Sequence, residues 1–165
     1  MSKKENRAIY PGTFDPITFG HLDIIKRATD IFDRVFISVV KGSSKESLFS
    51  YKQRIGLVKE ATKGINKLEI EGFNGLVVKF AAAKKIKVII RGIRMISDFE
   101  YEFQMALTNR KLAPDIETIF LMPHPNYSYI SSRLVKEIAF LGGNLEEFLP
   151  GVCIKAFKDT LFCHK

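Results

Sequence analysis

The chain alternates between apolar runs of strand length and longer segments whose apolar residues recur at helical spacing. "RAIYPG" gives a short strand from about Ala8, and "RVFISVV" (Arg34 to Val40) is β-branched and continuous, as a strand buried on both faces should be. "KLEIEGF" alternates, "KVIIRG" is again continuous, and "ETIFLMP" completes the set. Leu22, Ile25, Ala28, Ile31 and Phe32 recur at the spacing that predicts a helix over 22–32. Further helices are predicted over 50–62, 76–85, 98–112, 131–141 and 152–162, with Pro114 helping to end the one over 98–112. Five β-rich runs separated by helices indicate an α/β fold, a five-stranded, mostly parallel sheet with helices on both faces. No repeat, low-complexity stretch or linker interrupts this order, so 1–165 is read as a single domain.

An open parallel sheet carries its ligand beyond the C-terminal ends of its strands. The unusual residues should therefore follow the strands, and they do. After the first run comes "PGTFDPITFGH". Gly12 permits close backbone approach, Thr13 offers a hydroxyl to a phosphate oxygen, Pro16 stiffens the turn and Gly20 leaves room over the helix start. His21 falls in the first helical turn, where free amides and the helix dipole favour an anion. The same field disfavours imidazolium, so His21 is expected to be a neutral hydrogen-bond donor. A capping histidine beside a turn glycine is the plainer reading of a lone His, but Gly12, Thr13 and Pro16 around it favour a phosphate site. Lys41 and Lys45 follow the second run in a Gly/Ser-rich loop, where a lysine is ordinarily just solvated. Position alone makes Lys45 a candidate for neutralising phosphate charge.

After "KVII" comes "RGIRMISDFEYE". Arg91 and Arg94 at one strand end suit a polyanionic ligand, because guanidinium groups meet phosphate through paired hydrogen bonds. Glu102 can meet a hydroxyl or amine on that ligand. Alternatively Asp98, Glu100 and Glu102 pair with the arginines, a reading that suits Glu100 better than the whole cluster. After "TIFLM" comes "PHPNYSYISSRLVKE". Ser131 and Ser132 precede Leu134, Val135 and Ile138, and serines there cap a helix in any protein. A capped helix start aimed at the site is also a second phosphate cradle. Tyr127 and His124 are weaker candidates, and His124 reads as a loop residue.

Composition narrows the field. With 46% hydrophobic and 27% charged residues the chain reads as soluble and globular. No apolar run approaches the roughly 20 residues of a membrane span, and "MSKKENR" lacks the core of a signal peptide; a cytoplasmic location and no membrane partner are expected. If Cys153 and Cys163 share the last helix they stand about 15 Å apart, beyond the roughly 7 Å a disulfide tolerates. Two free thiols suit a reducing compartment, and no zinc or other protein-held metal is expected. The net charge of +8 attracts anions, either nucleic acid or small phosphorylated substrates, or reflects only a solvated basic surface. A nucleic-acid reader interleaves exposed aromatics with its cations. Here Phe80, Phe99, Phe103 and Phe120 fall at core positions, so no nucleic-acid partner is expected. Neither GxxxxGK[ST] nor GxGxxG occurs.

Thr18 to His21 forms TxGH, which resembles the (H/T)xGH signature of the nucleotidylyltransferase superfamily. With "RGIR", "DFEYE" and "ISSRLVKE" in order, the chain resembles the bacterial phosphopantetheine adenylyltransferases from about Arg7 to Pro150. The resemblance implies a Rossmann-like domain in a homohexamer that transfers the adenylyl group of ATP to 4'-phosphopantetheine, with Mg2+ assisting. The products are 3'-dephospho-coenzyme A and pyrophosphate, and coenzyme A is implied as a feedback inhibitor. It implies that Thr13, Phe14, His21, Gly92, Ile93, Arg94, Glu102 and the stretch Tyr127, Ser128, Tyr129, Ile130, Ser131, Ser132 and Arg133 meet ATP. Thr13, Lys45, Val77 and Arg91 would meet phosphopantetheine. Arg133 departs from the small hydroxyl residue common among relatives at that position.

The reaction needs no covalent enzyme intermediate, since a phosphate oxygen attacks the α-phosphorus of ATP in line and pyrophosphate leaves. Positioning and electrostatics are what the protein supplies. Lys45 and Arg91 are expected to hold the attacking phosphate, and His21 and Arg94 to stabilise the developing charge. The rival readings are another small-molecule enzyme of the superfamily, such as an NMN adenylyltransferase or a cytidylyltransferase, and a non-catalytic basic module.

Overall fold

The computed structural model describes residues 5–42 and 47–162. Five strands, β1 (Arg7–Gly12), β2 (Arg34–Val40), β3 (Leu68–Phe73), β4 (Val88–Gly92) and β5 (Glu117–Leu121), lie in the order β3-β2-β1-β4-β5. Every neighbouring pair is parallel, so the expected mostly parallel sheet is wholly parallel among the described residues. Helices α1 (Phe19–Ile31), α2 (Tyr51–Ala61), α3 (Val77–Ala83), α4 (Ile96–Leu112), α5 (Ser132–Phe140) and α6 (Gly151–Phe162) complete the fold, with a 3-10 turn at Pro125–Tyr127.

The strand period of two divides the core. Ala8 and Tyr10 of β1, with Val35, Ile37 and Val39 of β2, face Ile24, Ile25 and Ala28 of α1, Val58 of α2 and Phe157 of α6. Ile9, Phe36 and Ile89 face the other way, onto Val78 and Ala81 of α3 and onto Ile116. Because β1 is central and buried on both sides, its C-terminal end is a fixed platform, and the strand order places β4 beside it.

Two helices begin more than one residue earlier than their apolar spacing indicates. α1 starts at Phe19 rather than Leu22 because Thr18 and His21 form a capping box. The Thr18 hydroxyl accepts the His21 N–H at 3.4 Å, and His21 Nδ1 accepts the Thr18 N–H at 3.0 Å. α4 starts at Ile96 rather than Asp98.

The aromatic reading of α4 needs correction. Phe99 and Phe103 are not core residues: their rings stack on each other at 5.5 Å and stand 46% and 45% exposed. Met95, Ile96, Tyr101, Met105 and Leu107 are exposed beside them. The helix is apolar on more than one side, and only one side can meet β5. Phe80, stacked on Phe73 at 5.0 Å, and Phe120 are partly buried, nearer to the expectation. No helix among the described residues is long and apolar enough to cross a membrane.

Candidate active site

A cleft of about 450 Å³ opens at the C-terminal ends of β1 and β4, walled by the starts of α1 and α5. Its position follows from topology, since the loops after β1 and β4 leave the centre of the sheet side by side. The turn after β1 enters it first. A Cβ at Gly12 would lie 2.9 Å from the Phe14 ring, so only glycine fits there. Phe14 itself has left-handed backbone (φ 50°), a conformation that a bulky residue holds only where the surrounding fold imposes it. The turn sets its ring edge-on to Tyr10 (5.6 Å) and to His21 (5.1 Å).

His21 lines the cleft. Enclosure, then the positive charges of Arg94 and Arg91, lower its pKa from 6.5 to about 3. Its Nδ1 accepts from the Thr18 amide, which leaves the ring proton on Nε2. The imidazole is therefore held neutral, with its proton on Nε2. The cause is broader than the helix dipole alone.

Arg91 and Arg94 both line the cleft, each held by an acid. Arg91 Nε and Nη2 donate to the two Glu102 carboxylate oxygens at 2.7 and 2.6 Å, and Nη1 donates to Pro11 O at 2.9 Å. Burial works against the Arg91 charge, but the hydrogen bonds and charge of Glu102 outweigh it and leave its pKa raised. Arg94 donates to Asp98 Oδ2 at 3.1 Å and to Ile130 O at 3.1 Å. Pairing therefore involves Asp98 and Glu102, whereas Glu100, the residue better suited to it on sequence, is exposed.

On the opposite wall Ser131 caps α5, its hydroxyl accepting the Leu134 N–H at 3.0 Å, and Ser132 Oγ donates to Pro16 O at 2.8 Å. Arg133 stands at the mouth, 3.4 Å from Glu137. Thr13, Gly92 and Ile130 complete the expected residues that line the cleft.

Other expected residues lie elsewhere. Ile93 is tied through its N–H to Leu121 O at 3.1 Å, and Val77 packs onto the second core cluster. Tyr127 leans on Phe19 with ring centres 6.2 Å apart, Ser128 donates to Pro125 O at 2.9 Å, and Tyr129 is half exposed beside Phe148. Lys41 and His124 are exposed. Lys45, Cys163 and His164 lie outside the described residues.

Three residues to which the sequence reading assigns no role build the site's frame. Arg54 of α2 is 2% exposed and donates to Phe49 O, Thr13 O, Val40 O and Lys41 O at 3.2, 2.7, 2.9 and 3.3 Å. Asp15, also buried, accepts the Leu48 and Phe49 N–H groups at 2.9 and 2.8 Å and pairs with Lys136 of α5 at 2.7 Å. These contacts tie the turns after β1 and β2 to the start of α5. The available signal was a polar residue on an apolar face: Arg54 shares its helix side with Leu57 and Val58. Among the described residues no group of three or more His, Cys, Asp or Glu side chains is arranged to hold a metal ion.

The family model for cytidylyltransferase-like proteins matches residues 9–138. The phosphopantetheine adenylyltransferase of Caldanaerobacter subterraneus subsp. tengcongensis is 55% identical over 145 residues, 88% of this chain and 91% of that one. The chain belongs to the phosphopantetheine adenylyltransferase family. Relatives of the same name in Alkaliphilus metalliredigens (50% identical, 90% of this chain and 94% of that one) and Thioalkalivibrio sulfidiphilus (49%, 93% and 97%) agree. Two solved structures share the fold at low identity. A putative nicotinate-nucleotide adenylyltransferase from Vibrio parahaemolyticus has a TM-score of 0.72 at 15% identity, covering 98% of both chains. The Plasmodium falciparum nicotinic acid mononucleotide adenylyltransferase complexed with NaAD has 0.70 at 12%, covering 94% of this chain and 95% of that one. The Rossmann-like nucleotidylyltransferase fold expected for a phosphopantetheine adenylyltransferase is thus the fold of this chain.

Proposed function

We propose that the protein transfers the adenylyl group of ATP to 4'-phosphopantetheine, giving 3'-dephospho-coenzyme A and pyrophosphate. The observation that carries this reading is the convergence of His21, Arg91, Arg94 and two helix starts on one cleft, in a chain of this family. Two anions must meet there, and the barrier the protein can lower is electrostatic and positional. Arg91 holds the attacking phosphate together with Lys45, and Thr13 contacts both reactants. His21 donates from Nε2 to the phosphate under attack, where a neutral donor repels neither arginine beside it. Arg94 and the capped start of α5 receive the charge that builds on the departing pyrophosphate.

Mg2+ enters this proposal only as a companion of the triphosphate. The carboxylates that line the cleft, Asp15 and Glu102, are paired with Lys136 and Arg91 and offer no ready protein seat for the ion. Coenzyme A carries the phosphopantetheine arm and would compete at the same cleft. The exposed apolar residues of α4 suit assembly with further copies of the chain, here taken as a homohexamer, and the buried thiol of Cys153, without a disulfide partner among the described residues, suits a cytoplasmic location.

Pyrophosphate release from ATP, measured with 4'-phosphopantetheine, nicotinate mononucleotide, NMN and simple alcohol phosphates as acceptors, tests the reading. Turnover is expected with 4'-phosphopantetheine alone. Preferential turnover of a mononucleotide would transfer the site to the other branch of the superfamily.

A further inference from the structure

The floor of the cleft carries a phenol that the reaction as proposed does not use. Tyr10, on the central strand, is 4% exposed and lines the cleft. Its ring is fixed edge-on against Phe14, with the planes at 83°. Its hydroxyl lies beneath Gly92: a Cβ there would stand 3.6 Å from it. The polar groups around it make their protein hydrogen bonds to other partners, Arg91 to Glu102 and Pro11, Arg94 to Asp98 and Ile130, and His21 Nδ1 to Thr18. Among the described residues none forms a hydrogen bond with the Tyr10 hydroxyl.

The Tyr10 hydroxyl is not among the buried polar atoms left without a partner, so it opens onto the cleft and is free to donate to what fills it. Packing alone would be served as well by phenylalanine. Burial, opposed only in part by Arg91 and Arg94, raises the Tyr10 pKa, so the group is a protonated donor and not a phenolate. The strongest acceptor that two neighbouring guanidinium groups attract is an anionic phosphate oxygen.

We propose that Tyr10 is a further ligand-binding residue of this site, its hydroxyl donating a hydrogen bond to a phosphate oxygen of the bound nucleotide alongside Arg94. The identity of the nucleotide as ATP rests on the adenylyl-transfer reading; the hydrogen bond rests on the geometry of the cleft.

The test is Tyr10→Phe, which deletes one oxygen and keeps the ring. ATP and, separately, adenosine are titrated calorimetrically into wild type and variant, with melting temperatures measured alongside. A hydrogen bond to a charged acceptor predicts ATP affinity lower by roughly tenfold to hundredfold, with adenosine affinity unchanged. Equal ATP affinity in the two proteins overturns the proposal. So does a parallel loss for adenosine and ATP, which marks a merely structural defect. A wild type that binds ATP but releases no pyrophosphate with 4'-phosphopantetheine defeats the substrate assignment, while the ATP-to-adenosine comparison still decides Tyr10.

Discussion

Glu102 grips Arg91 with both carboxylate oxygens, at 2.7 and 2.6 Å, across the gap between α4 and the end of β4. With Nη1 also bonded to Pro11 O, three of the five guanidinium hydrogens are committed. The two that remain sit on the Nη1 and Nη2 atoms of a fixed plane, so Arg91 presents a preset fork to the cleft instead of a mobile charge. Glu102 thereby serves the site through Arg91, whether or not it also meets a ligand.

Glu102→Gln removes the charge while nearly keeping the shape. Its amide NH2 would face guanidinium donors, so at least one paired hydrogen bond is lost. The expected destabilisation is about 1.5–3 kcal/mol, read as a lower urea midpoint, accompanied by a raised KM for 4'-phosphopantetheine. A variant with wild-type midpoint and KM would show that the pair does not hold Arg91 in solution.

His21 should reveal its neutral state through pH. Folding lowers its pKa from 6.5 to about 3, so between those values the unfolded chain binds a proton that the folded chain refuses. Stability therefore falls as pH drops below 6.5, by at most about 1.4 kcal/mol per pH unit, and His21 adds no slope above pH 7.5. His21→Asn lacks this component, so its urea midpoints from pH 7 to 5 should decline less steeply than those of wild type; parallel declines would mean the imidazole is not shielded. For His21→Ala, kcat should fall by roughly 10²–10³, or about 2.7–4 kcal/mol. Near-normal turnover would remove the residue from the mechanism.

Arg54 is the deepest cation in the described structure, and its partners are backbone carbonyls from three segments. Arg54→Met would strand those acceptors in the interior, at an expected loss of at least about 3 kcal/mol. Arg54→Lys should rescue little, because a single ammonium cannot span carbonyls that a planar guanidinium reaches from three nitrogens. Urea titration of both variants gives the answer. If the Lys variant matched wild type, the planar geometry would be irrelevant and one charge sufficient.

Local periodicity carried the sheet because β2 and β4 are continuous apolar runs that only a doubly covered parallel strand explains. The position of the cleft was legible for the same reason: residues after β1 and β4 have nowhere to converge but the middle of the sheet. Burial of single polar groups was not legible. Asp15 stands between Phe14 and Pro16 in a turn where an aspartate commonly serves the local backbone, and its partners Leu48 and Lys136 are remote in sequence. The side of α4 that Phe99 and Phe103 occupy was misread because helical spacing marks an apolar face without saying what covers it.

That uncovered face yields the last prediction. From Met95 to Leu112, eight large apolar side chains (Met95, Ile96, Phe99, Tyr101, Phe103, Met105, Leu107 and Leu112) are exposed along a helix of 17 residues. Apolar side chains exposed on more than one side of a helix this long, roughly 25 Å, are unfavourable for a monomer and are normally buried against another protein surface. Assembly through α4 would also clamp the helix that bears Glu102, and so brace Arg91. The double substitution Phe99→Glu and Phe103→Glu should therefore lower the sedimenting mass and, in the smaller species, raise the KM for 4'-phosphopantetheine. Leu141→Glu, at a site 88% exposed beyond α5, serves as the control and should leave the mass unchanged. If the double variant sedimented like wild type, α4 would not be the joint between subunits. If it dissociated with its KM intact, the cleft would be complete within one chain and Glu102 would hold Arg91 without help from a neighbour.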